Sequence, residues 1–152
     1  MLEDFRILVV EDVAAIRSLI VRLLERLGCN DVFEAADTAT ARTWLDTRGF
    51  DAVLLDYELV GETGLKLIRQ LRADPEARNR DVPIIVLTGH TGADVILATV
   101  QAGANSYMVK PVMPDRLGQR ILDVIAGHEG GRPEDDEDAP PREPADIFWI
   151  DD

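Results

Sequence analysis

Five short apolar runs recur along this chain, and each gives way to residues spaced as on a helix. The runs lie at 5–10, 31–36, 51–55, 84–87 and 106–109. The helical stripes lie at 13–27, 39–47, 65–74, 94–102 and 114–125. In the first stripe the apolar positions are Ile16, Leu19, Ile20, Leu23, Leu24 and Leu27, with Arg17, Arg22, Glu25 and Arg26 mostly on the other side. The run Ala52-Val53-Leu54-Leu55 is continuously apolar, as expected of a strand covered on both faces. Strict alternation of strand and helix predicts an α/β fold with a parallel sheet and helices on both faces. Punctuation agrees with it. Gly28, Gly49 and Gly103 stand where helices stop, Pro83 opens the fourth strand, Pro114 fits the first turn of the fifth helix, and Thr38 is the expected N-cap of the second.

The residues that end the strands are polar, and alternation puts them all at one sheet edge. They are Glu11 and Asp12, then Asp56, Thr88 and Lys110. In the flavodoxin-like doubly wound (βα)5 order 2-1-3-4-5, strands one and three are neighbours at the switch point, where ligands bind. Three carboxylates would then share one crevice and raise one another's pKa unless a cation is present. Hard oxygen ligands suit Mg²⁺, which keeps waters and pairs with phosphate oxygens. A carboxylate nucleophile, a cation, an ammonium and a hydroxyl are the parts for phosphoryl transfer. Singly, each residue has an ordinary reading. A strand-end Asp caps loops, Glu-Asp before a helix favours its dipole, Thr-Gly makes a turn, and Lys-Pro is surface punctuation. Their coincidence at successive strand ends carries the functional reading.

With these residues in view, the chain resembles the receiver domain of bacterial two-component response regulators over about residues 5–126. The resemblance rests on LVVED at 8–12, VLLD at 53–56, VLTG at 86–89 and GANSYMVKP at 103–111. It implies that Asp56 is the phosphoacceptor. Asp12, Glu11, Asp56 and the backbone carbonyl of Glu58 would hold Mg²⁺. Lys110 would contact the phosphoryl group, with a cis bond to Pro111, and Thr88 and Tyr107 would be a switch pair. Glu58 and His90 stand where such domains tune phosphoryl lifetime. Tyr107 could instead be a half-buried strand tyrosine, and His90 an exposed loop residue. Departures from the common pattern include Glu11 for aspartate, Val112 after Lys110-Pro111, and Val60-Gly61 in a proline-free loop.

The implied protein is a stand-alone response regulator phosphorylated by a sensor histidine kinase or a histidine phosphotransfer protein. It would not be an enzyme beyond its own Mg²⁺-dependent phosphorylation and dephosphorylation, and it would signal through protein contacts with a target the sequence does not name. One alternative is an interaction module of the same fold that works without phosphorylation. Another is an aspartate-nucleophile phosphatase, faintly suggested by Asp56-Tyr57-Glu58, for which the chain is too short and compact.

Charge and composition narrow the setting. The net charge is −13, and residues 128–152 carry ten acids and two arginines. Such a chain is unsuited to direct nucleic-acid binding, which needs clustered Lys and Arg. No apolar run is long enough to span a membrane, and the acidic start followed by a strand pattern predicts a cytoplasmic protein. The single cysteine, Cys29, allows no internal disulfide and is expected to be buried at a helix end. The domain is expected over 1–127, followed by an acidic, Pro- and Gly-rich tail over 128–152 that is disordered by composition. Within that tail, Ile147, Phe148, Trp149 and Ile150 form an apolar cluster between Asp146 and Asp151-Asp152. Either the tail only solvates, or this cluster docks on a partner or on the domain.

Overall fold

The structure is a computed structural model in which residues 1–59 and 62–127 are described. The tail beyond 127 and the Val60-Gly61 pair, which figured in the sequence reading, lie outside the described residues. Seven strands and five helices follow in the order β1 (Arg6–Val10), α1 (Ala14–Arg26), β2 (Asp31–Ala35), α2 (Thr38–Thr47), β3 (Ala52–Asp56), β4 (Glu58–Leu59), β5 (Glu62–Thr63), α3 (Leu65–Ala73), β6 (Ile84–Thr88), α4 (Ala93–Ala102), β7 (Ser106–Val109) and α5 (Pro114–Ile125).

Five strands form one parallel sheet in the order β2-β1-β3-β6-β7. Counting only these five, the order is the expected 2-1-3-4-5. The remaining two form a small antiparallel hairpin, β4 with β5, directly after Asp56. The sequence reading has a plain loop there, because strands of two residues show no periodicity to read.

Side chains alternate across the sheet, as a period of two requires. Ile7, Val9, Ala52, Leu54, Ile85 and Leu87 face α1 and α5, meeting Ile20, Leu24, Leu117, Ile121 and Val124. Leu8, Val10, Val53, Leu55, Ile84 and Val86 face α2 and α3, meeting Ala41, Leu45, Leu65, Ile68 and Leu71. All five residues of β3 and of β6 are buried, which explains their unbroken apolar reading.

Two local expectations are corrected. The N-cap of α2 is Asp37, whose carboxylate accepts from the Thr40 N–H at 2.7 Å; Thr38 is already helical. The six apolar positions of the first stripe are also not all core. Only Ile20 and Leu24 of α1 are buried, while Ile16 and Leu19 are 37% and 53% exposed. The stripe is wider than the helix face that the sheet and α5 can cover. Elsewhere the turns hold as read: Gly28 and Gly103 have φ of 95° and 108°, where only glycine is unstrained, and Lys110-Pro111 is cis. Cys29 is 1% exposed, with its Sγ 3.3 Å from the Phe5 carbonyl oxygen.

Candidate functional site

Backbone hydrogen bonds continue past the strand ends and hold the edge loops together. Glu11 N–H donates to Ala35 O at 3.0 Å, Tyr57 N–H to Leu87 O at 2.8 Å, and Lys110 N–H to Thr88 O at 2.8 Å. The ends of β3, β6 and β7 are thereby fixed relative to one another, and the end of β1 to that of β2. Arg17 of α1 secures the first loop by donating to Glu11 O at 2.8 Å and pairing with Glu34 at 3.2 Å.

Glu11, Asp12 and Asp56 each offer a carboxylate oxygen within 4.8 Å of the others. Glu11 is 1% and Asp56 6% exposed. Lys110 bridges them, its Nζ donating to Asp56 Oδ1 at 2.9 Å and Glu11 Oε1 at 3.0 Å. The other Glu11 oxygen accepts the Val13 N–H at 3.2 Å. Burial pushes the Glu11 carboxyl up; the Lys110 and Val13 hydrogen bonds oppose this, and Asp12 and Asp56 add to it. At Lys110 burial works against the ammonium, but hydrogen bonds and attraction from Asp56 and Glu11 outweigh it, and the net shift is upward. One ammonium thus faces three acids, and the cluster is short of positive charge. The residues fit a hard divalent cation: three carboxylates converge on one point, two of them withdrawn from water.

The backbone behind Asp56 is packed to the limit. A Cβ on Gly64 would lie 2.6 Å from the Asp56 carbonyl oxygen and 2.9 Å from the Leu55 side chain. Gly64 therefore lets the start of α3 press against the end of β3. Its N–H donates to Tyr57 O at 2.9 Å. Close approach of this kind leaves no mark in a sequence beyond the glycine itself.

Glu58 N–H reaches back to Asp56 Oδ1 at 3.4 Å, while the Glu58 carboxylate contacts His90 Nε2. Both of these side chains are more than half exposed, and the His90 ring stands edge-on to Tyr57 at 6.0 Å. The pair links the loop after β3 to the loop after β6 at the mouth of the acidic cleft. Both residues were singled out from the sequence, but their mutual contact was not, since thirty-two positions separate them. The cleft, about 380 Å³, is lined by Glu11, Asp12, Asp56, Glu58 and Lys110, with Val13, Ile16 and Leu59.

Thr88 is buried, and its hydroxyl accepts the His90 N–H at 2.9 Å. Tyr107 is 1% exposed, not half-buried, and packs with Ile96, Val100 and Val109. Its strand is tied to α5 by the buried Arg120, which donates to Ser106 Oγ at 2.7 Å and Tyr107 O at 2.6 Å.

The chain as a whole has relatives among known proteins. The profile of the response regulator receiver domain matches residues 7–122. Chemotaxis protein CheY of Pseudomonas aeruginosa is 36% identical over 120 residues, covering 79% of this chain and 95% of that protein. Chemotaxis protein CheY1 of Helicobacter pylori is 35% identical over 123 residues, covering 80% of this chain and 97% of that one. Among solved structures, a two-component response regulator of the LuxR family from Aurantimonas sp. SI85-9A1 superposes with a TM-score of 0.74 at 32% identity, over 82% of this chain and 87% of that one. A CheY-like receiver domain from Methanospirillum hungatei gives 0.72 at 26% identity, over 81% and 94%.

Proposed function

The chain belongs to the response regulator receiver domain family, and from that premise we propose that Asp56 accepts a phosphoryl group from a histidine kinase or histidine phosphotransfer protein. The observation that carries the reading is the arrangement around Asp56. Its carboxylate ends the central strand, lies within 4.8 Å of Glu11 and Asp12 oxygens, and accepts from Lys110 at 2.9 Å. The bonds described to this carboxylate reach Oδ1, which leaves Oδ2 to attack phosphorus. The new bond is O–P, the bond broken is the donor's N–P bond, and the donor imidazole leaves with that electron pair. The product is an acyl phosphate on Asp56. Mg²⁺ would be held by Asp12, Asp56 and Glu11 with the Glu58 carbonyl, and would supply charge neutralisation on the transferring oxygens.

Lys110 supplies a fixed positive charge beside the acceptor before and after transfer. Thr88 stands one residue beyond the β6 position that pairs with Asp56, so its hydroxyl is available to a phosphoryl oxygen once its O–H turns away from the His90 carbonyl oxygen, 3.4 Å away. The inward ring of Tyr107 is one end of a movement coupled to Thr88, and that movement would change the surface made by α4, β7 and α5. A change of population between two such surfaces, read by a partner protein, is the output. Chemotaxis is the process named for the CheY relatives. Here the reading extends only to phosphorylation-dependent protein contact.

Incubation with Mg²⁺ and acetyl phosphate or a phosphorylated histidine donor, followed by intact-mass measurement, tests this. One added phosphoryl group is expected, and none on Asp56→Asn. A wild-type chain that stays unmodified would sink the reading in favour of an interaction module independent of phosphorylation.

A further inference from the structure

Beside the acidic cleft runs a second depression of different character. It is a groove of about 340 Å³ lined by Ile16, Leu19, Ile20 and Leu23 of α1 with Lys110, Pro111 and Val112 of the β7–α5 loop. Val13 and Met113 extend it as exposed apolar residues, 48% and 50% accessible. An apolar patch of this kind on a strongly charged molecule is unfavourable unless something covers it. Ile16 and Lys110 line both this groove and the acidic cleft. An occupant here would therefore stand at the shoulder of Asp56.

The chain itself contains a segment of matching chemistry. Residues 147–150, Ile-Phe-Trp-Ile, are flanked by Asp146 on one side and Asp151-Asp152 on the other. The groove borders one of the two helices with a clear positive excess, the other being α3. α1 carries Arg17, Arg22 and Arg26 against Glu25 alone, in a chain of net charge −13, and Arg22 and Arg26 are exposed. An apolar core with acidic ends thus meets an apolar groove with arginines beside it. The connection is long enough. α5 packs on α1 through the shared core, and nineteen residues, 128–146, separate the last described residue from the segment. Such a connection spans at most about 60–70 Å, and about 25 Å on average as a coil. α1 is only about 20 Å long.

We propose that residues 147–150 dock in the groove between α1 and the β7–α5 loop of their own domain. Phe148 and Trp149 fill the groove, and the flanking aspartates lie along Arg22 and Arg26. This docking does not depend on phosphorylation of Asp56, and its test is independent of that reading.

The test uses the full chain, ¹⁵N-labelled, with a nitroxide attached at Asp152→Cys; Cys29 is too buried to compete for the label. The amide signals of residues 16–23, 110 and 112 are expected to lose more than half their intensity, while those of α2 and α3 keep theirs. Adding Phe148→Ser with Trp149→Ser, or the surface change Leu19→Asp, is expected to restore the signals. Uniform broadening, broadening centred on another face, or persistence in the serine variant would each overturn the proposal. So would equal loss in a mixture of spin-labelled unenriched chain with ¹⁵N chain lacking the label, which would assign the groove to a second copy.

Discussion

At the scale of single residues, the site is a charge imbalance held in place by packing. Three carboxylates share one ammonium, and burial already pushes the Glu11 carboxyl up. A divalent cation should therefore stabilise the fold. At ten times its dissociation constant, Mg²⁺ adds about 1.4 kcal/mol, read as a rise in Tm. Asp12→Asn should abolish most of that rise without unfolding the protein, since Asp12 is only partly buried. His90 gives a second test. Its contact with Glu58 closes one side of the cleft mouth, so His90→Ala should open a path for water and shorten the phosphoryl lifetime roughly 3–10-fold, equivalent to about 1 kcal/mol of barrier. An unchanged dephosphorylation rate by intact-mass time course would show that the pair does not screen the site. The strand-end residues themselves were legible because each closes an apolar run. The Glu58–His90 contact and the Gly64 packing were not, because neither leaves a periodic trace in the sequence.

At the scale of elements, long strongly periodic segments were read correctly and short or cooperative ones were missed. The hairpin β4–β5 is too short to announce itself. The 75–82 connection reads as polar, yet it hides Asn79, only 4% exposed. That side chain donates to Leu45 O and Arg48 O, both at 2.7 Å, and accepts from Phe50 N–H at 2.9 Å. It joins the end of α2 to the approach of β3, and no local pattern could show partners some thirty positions away. Asn79→Ala strands these backbone groups and should cost about 2–4 kcal/mol in denaturant unfolding. The cap of α2 offers a pH test. The Thr40 main-chain N–H, then its side chain, hold the Asp37 carboxyl below its ordinary 3.8. A depressed folded-state pKa contributes stability above the unfolded value and loses it as pH falls through the folded one. Wild type should therefore be more stable than Asp37→Ala at neutral pH, with the gap closing below about pH 4. A gap independent of pH would assign the effect to helix propensity instead.

At the scale of the whole molecule, alternation of strand and helix was enough to give the sheet order, because right-handed crossovers leave few alternatives. It was not enough to say which apolar residues the fold would use. Ile16 and Leu19 carry the same helical signal as Ile20 and Leu24, yet the domain leaves them outside. Periodicity reports that a face is apolar, not what covers it. That surplus borders the acidic cleft, with Ile16 and Lys110 common to both. If residues 147–150 occupy the groove, which adjoins the cleft, a phosphodonor protein whose footprint around Asp56 includes α1 meets only the undocked fraction of the chain. Its apparent affinity falls by that fraction, about tenfold for a segment docked nine-tenths of the time. Acetyl phosphate, small enough to enter the cleft directly, is much less affected. Phe148→Ser with Trp149→Ser should therefore raise the rate of phosphorylation by a protein donor at sub-saturating concentration up to about tenfold, while the acetyl phosphate rate changes less than twofold. Equal acceleration by both donors would mean that the tail acts on the chemistry of Asp56 and not on access to it. No change with either would mean that docking, where spin labelling finds it, leaves the donor's path clear.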